Sequence, residues 1–378
     1  MKQGPGASIM ECFEALEDPR IERCKRHQLL DIIAIALCAV ICGADSWVHV
    51  ELFGKSKEQW LRTFLELPNG IPSHDTFGDV FARLDPDRFQ ECFMEWSQGV
   101  ASLLPGEVVA IDGKTVRRSY DTHAGRRAIH LVSAWASANT LTLGQVKTEE
   151  KSNEITAIPR LLELLELKGC IVTIDAMGCQ KEIAQGILDR GADYLLAVKE
   201  NQGRLYEDVR DLFQGAQEFG FAGVPYDYAT TLDKGHGRVE RRECWVIDDP
   251  LSLDYLSTGQ DWPGLRSVVQ VVGRRDTGEK TTVQPRYYIS SLGLPAQKLL
   301  TAVRDHWRIE NSLHWSLDVT FGEDQCRVGK DHGPQNLATL RQISHNLLQR
   351  ETTLKAGIQG KRLQDGWQED YLLKVLGS

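Results

Sequence analysis

Three acids, Asp112, Asp175 and Glu310, stand where their types and surroundings could do chemistry. Val108 to Lys114 reads Val-Val-Ala-Ile-Asp-Gly-Lys, a β-branched apolar run that meets an acid and then a glycine. That pattern predicts a buried strand delivering a carboxylate to its end. Cys170 to Gly178, Cys-Ile-Val-Thr-Ile-Asp-Ala-Met-Gly, repeats it with Asp175. Acids at strand-to-loop junctions also cap turns and helix N-termini, but two of them on interior strands favour a divalent cation as the compensating charge. The third lies in a helical pattern starting near Pro295, whose apolar stripe runs Leu299, Val303, Trp307, Leu313 and Leu317. Glu310 falls on that stripe where a leucine is expected. A glutamate there must be ion-paired, with Arg304 or Arg308 at hand, or bound to something else. His306 and His314 flank it at four residues on either side, but the His-Glu-x-x-His spacing of a zinc site is absent. Two acids at strand ends and one on a later helix suit phosphoryl transfer at a hard-cation centre, with two Mg²⁺ or Mn²⁺ ions about 4 Å apart.

The elements that must position these acids are legible around them. Residues 1–102 read as helical: Leu29, Ile32, Ile33, Ala36 and Val40 share one 3.6-period stripe, and Phe77, Phe81, Leu84, Phe89, Phe93 and Trp96 continue the style. Pro68, Pro72 and Pro86 break the helices, and Ser73 with Thr76 could cap one. A small DNA-binding module and a plain packing domain fit this region equally. From 103 to 218 the order is strand, hairpin (Ala128 to Ser137 and Leu141 to Lys147), helix (Ile155 to Leu167, ended by Gly169), strand, helix, strand, helix. Helices after the hairpin can cover both faces of a mixed sheet, with the two acids at neighbouring strand ends. Residues 219–294 change to short strands with Gly and Asp turns, read as a β-rich insertion rather than a continuation of the α/β unit. Helical periodicity resumes over 295–350, and 351–378 reads as a tail.

Composition is that of a globular protein, 42% hydrophobic and 26% charged. A net charge of −9 argues against polyanion binding by the whole surface but leaves room for local basic faces. Two such faces exist. Lys114, Arg117, Arg118, Arg126 and Arg127 stand against Asp121, and Lys234, Arg238, Arg241 and Arg242 against Glu240. Nine scattered cysteines without a Cys-x-x-Cys pair suggest neither a disulfide framework nor a thiolate zinc site, and fit a reducing, cytoplasmic setting. The longest uncharged apolar run, Ile32 to Ala44, is too short for a membrane span and reads as a buried helix.

Ala110-Ile-Asp-Gly-Lys114, Thr173-Ile-Asp-Ala-Met-Gly178 and His306-Trp-Arg-Ile-Glu-Asn311, followed by Leu317-Asp-Val-Thr-Phe-Gly-Glu-Asp324, resemble the bacterial insertion-sequence transposases of the DDE type. The H-repeat-associated proteins linked to Rhs elements resemble the chain most closely. Gly70-Ile-Pro-Ser-His-Asp-Thr-Phe77, Leu84-Asp-Pro86, Asn336-Leu337 and Leu340-Arg341 extend the likeness over nearly the whole chain. The resemblance implies a ribonuclease-H-like fold carrying a β-rich insertion, with Asp112, Asp175 and Glu310 as the catalytic, metal-binding triad. It implies cleavage at insertion-sequence ends, strand transfer into target DNA, and two copies bridging two ends. In the wider group a tyrosine, an arginine and a lysine around the glutamate hold DNA phosphates. Val303, His306 and Leu317 stand here instead, leaving Arg304, Arg308, Arg327 or Lys330 to replace that clamp.

The expected partner is double-stranded DNA, without membrane or small-molecule substrate, and the expected setting is a bacterial cytoplasm with association to the nucleoid. Lys114, Arg117, Arg118, Arg241, Arg242, Arg304, Arg308 and Arg327 are the expected phosphate contacts, and Trp245 an expected base-stacking or core residue. A nuclease or resolvase of the same fold and an inactive DNA-binding relic are the alternatives, and Glu323 or Asp324 could displace Glu310 as third ligand. If the basic strips make the contacts, DNA affinity should fall steeply with salt despite the acidic pI. A flat response in a titration from low to physiological ionic strength would count against them.

Overall fold

The structure, a computed structural model, describes residues 9–122, 124–149, 154–235, 237–278 and 280–377; residues 1–8 and Ser378, at the ends of the first and last segments read above, lie outside them. The strands are β1 (Val108–Thr115), β2 (His130–Ala136), β3 (Leu141–Lys147), β4 (Ile171–Ile174), β5 (Asp193–Val198), β6 (Asp227–Gly235), β7 (Arg238–Ile247), β8 (Ser267–Asp276) and β9 (Thr281–Ser290). They form one mixed sheet in the order β3-β2-β1-β4-β5-β9-β8-β7-β6. β1, β4 and β5 run parallel, and the other pairings are antiparallel. The first five strands, with α7 (Glu154–Glu163), α8 (Lys181–Asp189) and α9 (Gly203–Glu218) following β3, β4 and β5, have the ribonuclease-H-like order expected from the sequence.

Two expectations change here. The β-rich segment is inserted in chain order, but it is not a separate layer. β9 pairs antiparallel with β5, Leu196 opposite Ile289, so β6 to β9 continue the sheet. A sequence can show that a segment forms strands, but not which neighbour a strand's edge will find. The segment after residue 350 is not a loose tail. It folds as α13 (Ile358–Trp367) and α14 (Glu369–Leu376), with Tyr371, Leu372 and Val375 buried in the main core.

The N-terminal part is helical as read: α1 (Ile9–Phe13), α2 (Leu29–Ile41), α3 (Trp47–Ser56), α4 (Glu58–Leu61), α5 (His74–Arg83) and α6 (Pro86–Val100). Ser73 caps α5 by accepting from the Thr76 amide at 3.4 Å, and Asp85 caps α6 ahead of Pro86. Every residue of α2 except Leu30 is buried, including Asp31, which accepts from the Leu67 amide at 3.0 Å. That explains the uncharged run: α2 has no solvent face.

The second half adds α10 (Pro250–Asp254), α11 (Ala296–Arg308) and α12 (Gly333–Arg350). α12 is buried continuously from Gly333 to Leu348 and touches α2, α5, α6, β3, α13 and α14. α11 crosses one face of the sheet and touches β1, β4, β5, β6 and β7, its Leu299, Leu300 and Val303 in one cluster with Val108, Ile171, Val269, Val271 and Tyr288. No helix among the described residues is long and apolar enough to cross a membrane. Because α14 fills the core, Leu372→Ala should lower unfolding free energy by about 2–5 kcal/mol in urea titrations. A loss within about 0.5 kcal/mol, as at ordinary surface positions, would mean the C-terminal helices are dispensable.

Candidate active site at the strand tips

Parallel pairing of Ile111 with Ile174 brings the next residues of β1 and β4, Asp112 and Asp175, out side by side. Asp112 lies within its strand, opposite Ser133 of β2, and not at the end. Asp175 ends β4 and caps the 3-10 turn Ala176–Gly178, accepting from the Met177 amide at 2.9 Å. Glu310 reaches them from beyond α11. There the backbone leaves α-helical hydrogen bonding for two π-helical stretches, Ile309–His314 and Ser316–Thr320.

These wider turns shift the phase of the side chains. Leu299 and Val303 of α11 are buried, as are Leu313 and Leu317 beyond it, but Trp307, still within α11, is already 40% exposed where the helix passes the cleft, and Glu310 opens into that cleft. The expected core-facing Glu310 is therefore corrected: its surroundings are a pocket and not the core. The alternative ion pairs are also accounted for, since Arg304 binds Asp233 at 3.0 Å and Arg308 binds Asp305 at 3.3 Å. All three acids line one cleft of about 790 Å³, with Lys199, Arg286 and Trp307 on its walls.

Electrostatics set the state of this cluster. Burial, then the charges of Glu310 and Asp175, push the Asp112 carboxyl up to about 8. Asp175 is raised by burial and by Glu154, against the Met177 and Gly178 amides. His314, one helical turn past Glu310, lies with Nδ1 3.5 Å from Asp112 Oδ2, and burial holds its ring at about 3, neutral. Asp112, Glu310 and His314 present donor atoms within 4.8 Å of one another, while Asp175 lines the same cleft outside that trio. Carboxylates crowded until one resists ionisation form a donor set that a divalent cation neutralises, so these residues fit such an ion.

Two supports were invisible in the sequence. Lys114, read above as a phosphate contact, is committed elsewhere. Its ammonium binds Asp318 at 2.5 Å and Glu323, with its side chain only 12% exposed. This bridge ties β1, two residues past Asp112, to the second π-helical stretch and the turn after it, which follow the stretch carrying Glu310. It also occupies Glu323, and Asp324 faces Arg117 at 3.2 Å, so neither alternative third acid stands in the cleft. On the other side of β1, Glu154 Oε1 lies 2.9 Å from His130 Nε2, whose Nδ1 is 2.8 Å from Thr115 Oγ1. Gly113 makes room for this pair: a Cβ there would sit 2.1 Å from Glu154 Oε1. The Asp-Gly step of the first motif thus seats a fourth carboxylate beside the centre.

A second groove of about 710 Å³ shares Gln284, Arg286, Val303 and Trp307 with the acid cleft. Seven arginines line it, Arg241, Arg242, Arg274, Arg275, Arg286, Arg304 and Arg308, against Glu240 and Asp305. Arg286 stacks its guanidinium 4.6 Å from the Trp307 ring centre. Four of these arginines were singled out from sequence; Arg274, Arg275 and Arg286 were missed because cross-strand pairing alone brings them alongside, Arg241 opposite Arg274. Trp245 lies elsewhere, against Tyr228 with ring centres 5.2 Å apart and packed onto the core away from α11. Arg117, Arg118 and Arg327 are exposed but line neither groove. Val303 and Leu317 are core, and His306 is half-buried with Nδ1 3.0 Å from Thr173 Oγ1.

Strand order and acid-lined cleft together define a ribonuclease-H-like protein with a fitted cation centre. Residues 104–347 match the family model described as "Transposase DDE domain", and residues 10–97 the model described as "DDE_Tnp_1-associated". The chain belongs to the DDE-domain transposase family, whose domain implies dependence on a divalent cation. It is 40% identical over 372 residues to the H repeat-associated protein YhhI of Escherichia coli K12, covering 97% of each chain. It is 46% identical over 283 residues, 74% of this chain and 92% of the other, to a protein encoded in the dhlA 3′ region of Xanthobacter autotrophicus. Among solved structures, a piggyBac transposase synaptic complex with hairpin DNA aligns at 10% identity and a TM-score of 0.44, over 96% of this chain and 76% of that one.

The raised Asp112 carboxyl has a consequence for stability. Its penalty is absent below the ordinary carboxylate range and complete above about pH 8. In EDTA, Asp112→Asn should therefore be more stable than the wild type near pH 9, by upwards of about 1 kcal/mol, and equal to it near pH 4. Urea unfolding at the two pH values measures this, and an equal gain at both would exclude the charge repulsion.

Proposed function

We propose that this protein is a DNA transposase that cleaves at the ends of its insertion sequence and joins the freed 3′-hydroxyl to target DNA. The observation that carries the reading is convergence of Asp112, Asp175 and Glu310 in one cleft whose wall continues into an arginine-lined groove. Two divalent cations, Mg²⁺ or Mn²⁺, bound to these acids would supply Lewis-acid activation of the attacking oxygen and charge stabilisation of the leaving one.

The chain's own contribution is positioning. Parallel pairing of β1 with β4 sets the spacing of Asp112 and Asp175. Lys114, gripping Asp318 and Glu323, holds the stretch that follows Glu310's to β1. The arginine groove takes the phosphate backbone of duplex DNA running out of the cleft, through Arg241, Arg242, Arg304 and Arg308 together with Arg274 and Arg275. Arg117, Arg118 and Arg327 are exposed cations on another face and would contact a more distant stretch of DNA, while Lys114 and Trp245 are structural. Two copies bridging two element ends complete the reading, in a bacterial cytoplasm at the nucleoid.

Strand transfer with Mg²⁺, on DNA flanking the gene itself, tests the proposal. Wild-type protein should give joined products, and Asp112→Ala, Asp175→Ala and Glu310→Ala should each abolish them while DNA binding persists. Cleavage without joining would replace the transposase with a nuclease, and binding with neither would leave an inactive relic. Full joining by Glu310→Ala would sink its assignment.

A further inference from the structure

We propose that His314 is a metal ligand, so that the Asp112 side of the centre is a mixed oxygen and nitrogen site for a divalent transition ion. The inference rests on the reading above, that the acids hold divalent cations, and adds which ion one position selects. Glu310 and His314 are four residues apart within one π-helical stretch and both face Asp112. The imidazole is buried, with its side chain 9% exposed.

Its Nδ1 stands 3.5 Å from Asp112 Oδ2. A hydrogen bond between nitrogen and carboxylate would be about 2.7–3.2 Å. Neighbouring donors that share one ion at about 2.1 Å are instead roughly 3.0–3.5 Å apart. The other rings nearby are already engaged, His306 with Thr173 and His130 with Glu154 and Thr115. His314 is thus the histidine left facing the acids.

Donor chemistry then decides the ion. Magnesium takes oxygen ligands and keeps its waters, whereas imidazole suits first-row transition ions. Manganese accepts both, so Asp112, Glu310 and His314 form a position selective for Mn²⁺-like ions. Asp175, outside that trio, is left to an oxygen-only position.

Pulsed electron paramagnetic resonance of Mn²⁺ bound to the full-length protein, without DNA, reads this directly. Coupling from a coordinated nitrogen is expected in the wild type, should change on ¹⁵N-histidine labelling, and should vanish in His314→Gln but survive in His130→Gln. Mn²⁺ affinity of His314→Gln should fall by about 10–100-fold, with Mg²⁺ affinity nearly unchanged. The labelled wild type gives the answer for histidine coordination even if His314→Gln fails to fold. Bound Mn²⁺ without histidine coupling, or coupling that outlasts His314→Gln, would overturn the ligand assignment and leave the carboxylate centre standing. Failure of the wild type to bind Mn²⁺ at all would overturn both readings.

Discussion

A helix buried on every side must find partners for the polar groups it carries, and the side-chain bonds that α12 makes join the N-terminal bundle to the sheet. Asn336 donates to the carbonyls of Phe81 and Leu84 in the N-terminal bundle. Thr339 accepts from Gln145 of β3, Gln342 donates to Ser133 beside Asp112, and Asn346 donates to Ser97 and the Thr142 carbonyl. Each such bond adds only about 1 kcal/mol, but leaving its partner buried and alone costs more. Misplacing α12 would therefore break bonds to the bundle and the sheet together, which ties the bundle's position to that of the strands. His345 occupies the same helix between Trp135 and Phe321, kept neutral at about 4 by burial.

Rigid packing also holds together what electrostatics would separate. Asp112, Asp175, Glu310 and Glu154 repel one another, and the resistance of Asp112 to ionisation measures that repulsion. Opposing it are the β1–β4 pairing, the Lys114 bridge to Asp318 and Glu323, and the Glu154–His130 contact over Gly113. Preorganised charge of this kind does not need to rearrange when a cation arrives. Folding stability is spent on the site, as is common where function and local energetics conflict.

Much of this was legible because period-2 and period-3.6 patterns report burial, and burial made the strands and most helices. Val108 to Ile111 and Ile171 to Ile174 announced two interior strands; Asp175 marked the tip of the second, whereas Asp112 lies inside the first, which runs on to Thr115. Glu310 was found for a partly mistaken reason: its place on an apolar stripe presumes that the stripe faces core throughout, and at Trp307 and Glu310 it faces the cleft. Lys114 looked like a surface cation because its partners lie 204 to 209 residues on, at Asp318 and Glu323. The arginine groove was half visible, through Arg241, Arg242, Arg304 and Arg308. Its remainder depends on which strands pair, and no local pattern encodes that. Residues after 350 looked like a tail because α13 and α14 are short and half polar, so their apolar faces register only against a partner.

Hydrogen bonding runs unbroken from β3 through β5 to β6, so one sheet joins the acid cleft to the arginine groove. Asp112 sits on β1 and Asp175 just past β4, with Glu310 reaching them from beyond α11, while much of the groove lies on β7, β8 and β9. On the proposed reading, the distance from the cleft to the groove sets the separation between the reacting phosphate and the gripped backbone. A duplex that does not match that separation must then bend or unstack to fit, and the energy of doing so is sequence-dependent. Discrimination among DNA sequences on that reading arises from how readily a helix deforms, before any base edge is touched.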